Sequence, residues 1–508
     1  MQLERVTPES VGIHSPAIVN LLDKLEKLGV EMHSLMLLRH GRVCAEGWWR
    51  PYAPETPHIM FSFSKSLTST AIGFAEQEGI LSLEERLVDI FPDKLPERPS
   101  ENLQKATVWS LLTMSCGHET EIPNLGLGNP DWIAAFLSHP FVFKPGSKFH
   151  YNTAGTNMLC AVLKRKTGQN VSEFLRTRLF QPLGMSDIQC QKLPDGIDCG
   201  GAGFFLTTED MARFMQFVSQ KGVWDGKQLL NEGWFDRATS RQADTDNETG
   251  NWKLDWGQGY GFQFWRCIPE GIYRGDGAFG QFGVVFSKQD AVLIITSASL
   301  RTQELLTAVW ETLLPGMAAG TLPENRMENH ILNHRLKSLM LSPMLGVRNP
   351  DGEKNLSGAV YVPDAPLPRF TDVIGGTGKS VPDGGSLLAL AFRFEGDDAS
   401  LVCTQDNGEL CLRLGLCGSY ETTMADGVPY HAIGRWRAQN KLEFEFRNTT
   451  TASGKRMIFT FTGSRMTVSA DCTLPVAGGL ADEVLPELSF TLRDAEGVSL
   501  ATRQYWEN

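Results

Sequence analysis

The chain lacks several things that would have decided its class at once. It has no apolar run of the roughly 18–20 residues that a membrane-spanning helix needs, which predicts no membrane partner. It has no basic run. Lys+Arg number 47 against 59 Asp+Glu, for a net charge of -12 and a pI near 5.4. An acidic surface of this kind predicts no nucleic-acid partner. Residues 1–8 carry no basic-then-apolar leader, and the ten cysteines are scattered without a C-x-x-C pair. Reduced thiols and a cytoplasmic location are the expectation. No G-x-S-x-G occurs, which argues against a Ser/His/Asp hydrolase of the nucleophile-elbow type. No repeat period or low-complexity tract is visible either.

What remains is an ordinary globular balance. With 508 residues, 42% of them hydrophobic, the chain is long enough for two to four domains with substantial cores. Ser15-Pro16 reads as a helix start, with a stop near Gly29. Residues 34–39 and 42–49 read as two strands joined at His40-Gly41. A helix rich in small residues then runs to about Gly79. Residues 80–240 are mostly helical, and Thr207-Thr208-Glu209-Asp210 opens an amphipathic helix that stops near Gly222. Residues 259–266, 281–287 and 291–297 read as strands, and a helix over 302–314 follows. Strands, helices, then strands, with an antiparallel hairpin at each end, predict an α/β (α+β) domain whose antiparallel sheet is flanked by helices. Residues 315–323 read as a connector and about 324–341 as a helix. After Asn349, short β-type runs punctuated by Gly, Asn and Asp predict a C-terminal all-β domain, a barrel or sandwich. The expected division is 1–318, a linker with a connecting helix at 319–345, and 346–508.

The chemistry centres on Ser62-Phe63-Ser64-Lys65. At i and i+3 the lysine reaches the serine hydroxyl on one helix face. A serine needs a neighbouring base to act as nucleophile, and a partly buried lysine can be that base. Tyr151 lies where a loop, Pro145-Gly146-Ser147-Lys148-Phe149-His150, runs into a helix. A tyrosine beside that lysine can pass the proton on to a leaving group. A third segment, Gly275-Asp276-Gly277-Ala278-Phe279-Gly280-Gln281, enters a strand. Its glycines allow close backbone approach, so one N–H there can pair with that of Ser62 as an oxyanion hole.

These segments resemble the serine β-lactamase/penicillin-binding-protein superfamily, in particular its class C β-lactamase-like esterases and peptidases. Ser-x-x-Lys is a signature shared by related enzymes of that superfamily. Thr107-Val108-Trp109-Ser110-Leu111-Leu112-Thr113-Met114-Ser115-Cys116-Gly117 is similar to the family's T-I-x-x-L-L-T-H-T-S-G. Gln181-Pro182-Leu183-Gly184-Met185-Ser186-Asp187 resembles its P-L-G-M-x-D turn. The run from Gly201 to Met211 resembles its G-G-L-x-S-T-x-x-D-M segment. All occur in the family's order over about residues 10–315, and agreement across so many levels outweighs any one motif. The resemblance implies a β-lactamase/transpeptidase-like fold, Ser62 as nucleophile, Lys65 as its base and Tyr151 as partner acid/base. It implies oxyanion-hole N–H groups from Ser62 and Ala278, with Phe279 as the alternative donor.

Two departures bear on substrate. The family's Y-x-N reads Tyr151-Asn152-Thr153, and its K-T-G reads Gly275-Asp276-Gly277. Both imply poor hydrolysis of penicillins and cephalosporins. Asp276 would repel a carboxylate unless Arg274 neutralises it. Asn152, Thr153, Asp276 and Gly277 are the expected substrate-binding positions. The expected function is hydrolysis of a small ester or amide through a Ser62 acyl-enzyme, without metal or organic cofactor. The alternatives are a peptidase or amidase acting on short or D-configured peptides, and a binding or sensor protein that is acylated once. Gly375-Gly376-Thr377-Gly378-Lys379-Ser380 mimics the end of a phosphate loop but lacks its earlier glycine and its βαβ context. His330 and His334, i and i+4, read as a solvated helix face rather than a metal pair. His150 reads as a loop residue, and Trp252, Trp256 and Trp265 as core.

Overall fold

The computed structural model describes residues 3–122, 129–185, 188–245, 253–374, 386–416, 418–425, 427–474 and 487–493. The chain divides into two compact units. One comprises residues 1–49 and 53–339, the other 50–52 and 340–508. The helix Arg326–Lys337, expected as a connecting element, counts with the first unit.

The first unit is built on a six-stranded antiparallel sheet. Its strands are β1 (Met32–Arg39), β2 (Arg42–Trp48), β3 (Trp265–Arg266), β4 (Ile272–Gly277), β5 (Gln281–Phe286) and β6 (Ala291–Ser297), in the order β2-β1-β6-β5-β4-β3. Strands β1, β5 and β6 are buried on both faces. Side chains alternate across a strand, so such a sheet carries two cores. Met36, Leu38, Val285, Val292 and Ile294 face one, with α2 (Ser64–Gln77), α4 (Thr153–Thr167) and α5 (Thr208–Ser219). Leu35, Leu37, Val284, Leu293 and Ile295 face the other, with α1 (Ser15–Lys27) and α6 (Thr302–Ala308). A further short helix, α3 (Val108–Leu112), starts on the reciprocal cap between Thr107 and Ser110.

Helix α2 is buried over Ser64–Ala75, all round rather than on one face. Its small residues make that possible. A Cβ on Gly73 would lie 2.6 Å from the Trp234 ring. Three of its hydroxyls find partners inside the protein: Thr70 donates to its own helix, Thr68 to the Gly200 carbonyl, and Ser66 to the Gln263 carbonyl, whereas Ser69 Oγ is buried without one. A helix buried on every side can carry small polar residues because most of their hydroxyls are so satisfied.

The strand expected over 259–266 is confined to Trp265–Arg266. Gly261 instead packs against the Ala238 carbonyl, 1.9 Å from where a Cβ would stand. Strand β4 lies between this short edge strand and β5.

The second unit is one eleven-stranded sheet, running from Val360–Pro363 to Leu488–Leu492 around a barrel-like apolar interior. Its neighbours pair antiparallel, except that Gly415–Leu416 lies parallel to Val428–Ala438. Inward Phe392, Phe444, Phe459 and Phe461 pack ring against ring at its centre. The glycine-rich loop at 375–380 lies outside the described residues.

Candidate active site

Ser62 occupies a single 3-10 turn, Phe61–Phe63, just ahead of α2. Phe61 enters that turn with φ +45, in the left-handed region that costs a non-glycine residue about 1–3 kcal/mol. The turn is fixed from two sides. Met60 N–H donates to the Phe204 carbonyl at 2.9 Å, and the Phe61 ring meets Phe279 edge-on at 5.2 Å. Strand β4 passes close beneath. A Cβ on Gly277 would lie 2.2 Å from the Met60 carbonyl oxygen, and one on Gly275 2.8 Å from the Phe63 ring. The glycines of the third segment are therefore what lets the strand approach the serine's turn.

Lys65 is 1% exposed. Its Nζ lies 2.9 Å from Ser62 Oγ, 3.2 Å from Thr153 Oγ1 and 2.7 Å from the Gly201 carbonyl. Burial lowers its pKa from 10.5 to about 8, against the opposing pull of Glu121, Cys199 and Asp276. An ammonium gives all three partners a proton. A neutral amine gives two, to Gly201 and Thr153, and turns its lone pair to the serine hydroxyl. The Gly201 carbonyl is itself held, because Gly201 N–H donates to Asn157 Oδ1 at 3.0 Å and Thr68 holds the adjacent Gly200 carbonyl.

The Tyr151 ring centroid is 5.0 Å from Lys65 Nζ. Trp265 stacks on that ring at 5.7 Å, and Tyr260 meets it edge-on at 6.3 Å. Trp265 and Tyr260, with Phe149 and Met114, form a small cluster of their own beside the tyrosine. Trp265 thus buttresses the site rather than the main core.

The neighbouring positions divide in role. Asn152 is 1% exposed and committed locally. Its Oδ1 caps α4 by accepting from Gly155 N–H, and its Nδ2 lies 3.1 Å from His118 Nδ1. Burial lowers His118 to about 3, so the neutral imidazole accepts that bond. The Asn152 side-chain donor is engaged with His118 and Cys116, and its acceptor with the helix start. Thr153 instead points its hydroxyl at Lys65 and so stands where the resemblance would put an asparagine.

Asp276 forms an ion pair with Arg274, Nε to Oδ2 at 2.8 Å, with side chains 10% and 0% exposed. Burial raises the Asp276 pKa while Arg274 and a hydrogen bond from Trp256 pull it down. The guanidinium also lies 4.6 Å from the Trp256 ring. Arg274 therefore does neutralise Asp276 within the protein.

In the hairpin after β4, Phe279 has φ +65. Its carbonyl accepts from Ser299 N–H and Ser297 Oγ, and the Ala278 carbonyl from Gln281 Nε2.

Two residues that sequence reasoning passed over belong here. Gln263, buried and at φ +65, donates to the Leu111 and Leu112 carbonyls and accepts from Thr156 Oγ1. With Ser66 on its own carbonyl, it ties α2, α3 and α4 together behind the lysine. Glu121 accepts from Thr153 N–H through Oε1. No spacing pattern points to either; a lone polar residue with positive φ leaves no mark in a sequence. His330 and His334 stay exposed, and no group of three or more metal-ligating side chains occurs among the described residues. Nor is any helix among them long and apolar enough to cross a membrane.

The sequence profile of the family described as Beta-lactamase matches residues 21–313. A 6-aminohexanoate-dimer hydrolase of Paenarthrobacter ureafaciens is 24% identical over 318 residues, 58% of this chain and 79% of that protein. A D-aminopeptidase of Brucella anthropi is 24% identical over 285 residues, 46% of this chain and 52% of that one. Among solved structures, the octameric penicillin-binding protein homologue from Pyrococcus abyssi covers 94% of this chain and 99% of its own, at 15% identity and a TM-score of 0.49. The profile match spans more than half of the 508 residues and contains Ser62, Lys65, Tyr151 and the whole β4–β5 hairpin. The chain belongs to the beta-lactamase family.

Proposed function

We propose that the protein is a serine hydrolase that cleaves an ester or amide through a Ser62 acyl-enzyme. The observation that carries this reading is a buried lysine, depressed to about 8, with Nζ 2.9 Å from the hydroxyl of a serine at a strained turn. In the reactive state Lys65 is neutral. Its lone pair takes the Ser62 proton as Oγ bonds to the substrate carbonyl carbon. The carbonyl oxygen becomes an oxyanion between the N–H groups of Ser62 and Ala278. Ala278 is preferred to Phe279 as donor. The Gly277 carbonyl accepts from Gly280 N–H inside the hairpin, and the trans peptide turns Ala278 N–H the other way, toward the edge of β4. One such donor is typically worth about 3–4 kcal/mol in the transition state.

The oxyanion collapses and the C–O or C–N bond breaks. The proton held by Lys65 passes through Tyr151 to the leaving alcohol or amine. Water then adds to the ester carbon, returns a proton to Ser62 Oγ, and releases the acid. Thr153, Asp276 and Gly277 border this space in the proposal. Asn152 and His118 act only by holding the start of α4.

An amide substrate is the favoured branch, on the names of two relatives, a 6-aminohexanoate-dimer hydrolase and a D-aminopeptidase. The test is labelling with a fluorophosphonate probe and mass mapping of the adduct. One adduct per chain on Ser62 is expected, together with at least about a thousandfold loss of ester turnover in Ser62→Ala. Labelling elsewhere, or undiminished turnover in that variant, refutes the assignment. A single burst without steady state points to a protein that is acylated but does not turn over.

A further inference from the structure

We propose that Glu121 is the subsite for a substrate ammonium group beside the scissile carbonyl, so that the preferred acyl donors are aminoacyl esters or amides. The inference rests on the Ser62 acyl-enzyme reading and names the class of substrate it would take.

Charge at the site is unevenly placed. Arg274 and Asp276 cancel one another in a buried pair. Lys65 must shed its proton to act as base, which removes its charge in the reactive state. Glu121 lies outside the Arg274–Asp276 pair. It is half-buried and so open to solvent, and it stands close to the reacting groups. Thr153 N–H donates to its Oε1, and the hydroxyl of the same threonine lies 3.2 Å from Lys65 Nζ. Among the charges acting on Lys65, that of Glu121 is foremost. Thr153 N–H takes up one carboxylate oxygen and fixes its orientation, and a carboxylate has capacity for further donors. When a substrate enters and water leaves, an unpaired carboxylate costs free energy that a cation offsets. A neutral acyl group would leave that cost standing, and a carboxylate would add repulsion. Through Thr153, Glu121 is linked to Lys65 and so to Ser62, and an ammonium on the carbon next to the scissile carbonyl is the small cation it would meet.

Glu121→Gln isolates this role. The amide oxygen still accepts from Thr153 N–H, so the start of α4 keeps its hydrogen bond and only the charge is lost. The probes are alanyl p-nitroanilide, in both enantiomers, and propanoyl p-nitroanilide, which differs by the ammonium alone. The readout is the ratio of kcat/KM for alanyl over propanoyl substrate. Both substrates share Lys65, so a change in the lysine's proton affinity moves both rates together and leaves the ratio alone.

The wild-type protein is expected to favour an alanyl substrate, and the variant to lose about tenfold or more of that ratio, mostly through KM. Raising the salt concentration should also raise KM for the alanyl substrate of the wild-type protein more than for the propanoyl one. Active-site titration with the fluorophosphonate corrects both proteins for any unfolded fraction. A ratio unchanged in Glu121→Gln overturns the subsite and leaves Glu121 a structural acceptor. So does a wild-type protein that turns over propanoyl but not alanyl substrate. Failure of any neutral ester to acylate Ser62 overturns the acyl-enzyme reading instead, and the subsite with it.

Discussion

Replacing Lys65 by methionine should abolish turnover and also remove a pH dependence from the stability of the first unit. The lysine titrates near 8 in the folded chain and near its ordinary 10.5 when unfolded. A separation of 2.5 units is worth about 3 kcal/mol. The sign follows from proton counting. Below pH 8 both states hold the proton, and the folded chain bears the whole cost of a buried charge. Between 8 and 10.5 the unfolded chain holds a proton that the folded chain has released, so wild-type stability rises with pH. Above 10.5 neither holds it. Across the accessible span from about pH 7 to about pH 9.5, linkage gives the wild type a gain of about 2 kcal/mol over Lys65→Met. The variant also orphans the Gly201 carbonyl and Thr153 hydroxyl, at about 1–3 kcal/mol each. That loss does not vary with pH and cancels from the comparison. Urea unfolding of both proteins at several pH values measures the gap directly. A gap that stays constant, or one that moves against the wild type as pH rises, would refute the claim that burial depresses Lys65. The same depression predicts that kcat/KM of the wild type climbs with pH and levels off above about 8.

Thr153→Val removes a hydrogen-bond acceptor from the protonated lysine, so the ammonium becomes less favourable and the acid limb of the kcat/KM profile should shift below 8; a limb that stays put or shifts upward contradicts the assigned contact. Gly277→Ala should cost several kcal/mol and most of the activity, because its methyl would meet the Met60 backbone oxygen at 2.2 Å; thermal unfolding and probe labelling check both. Nitrocefin hydrolysis should be negligible, and Gly275→Lys should not restore it, because any side chain there meets the buried Phe63 ring; rates near those of dedicated lactamases in either protein would count against the reading of that strand.

How far the sequence carried this picture depends on the range of the forces involved. Ser62 and Lys65 were legible because i and i+3 on a helix is a local relation, and the structure places Nζ on Oγ as that relation requires. The hairpins at 32–48 and 281–297 were legible for the same reason, from alternation and turn residues. Strand β4 was not, because glycines alternate with Arg274 and Asp276 where apolar residues would mark a strand. Those residues make sense only once Phe63 lies under one face and Trp256 beside the other. In the second unit, Val428–Ala438 went unread for a related cause: Pro429 and Gly434 interrupt the pattern, and the ring of Phe444 covers the glycine. Asn152 was ambiguous because a substrate-binding polar residue beside Tyr151 and a helix cap look alike in sequence. Gln263 and Glu121 act through partners about 150 and 30 residues away, which no window of sequence contains.

The acceptor that grips Lys65 most closely, the carbonyl of Gly201, has one more consequence. A backbone carbonyl cannot be deleted by any substitution at its own position. Sequence drift can retune or lose Thr153, but it reaches Gly201 only indirectly, through Asn157 on α4 or Thr68 on α2. Both are fully buried, so changes there are constrained by packing before chemistry is tested. The lysine's anchor is therefore insulated from the variation that reshapes the rest of the pocket. A lineage built this way can vary the residues around the site while inheriting the same pairing of Lys65 with Ser62.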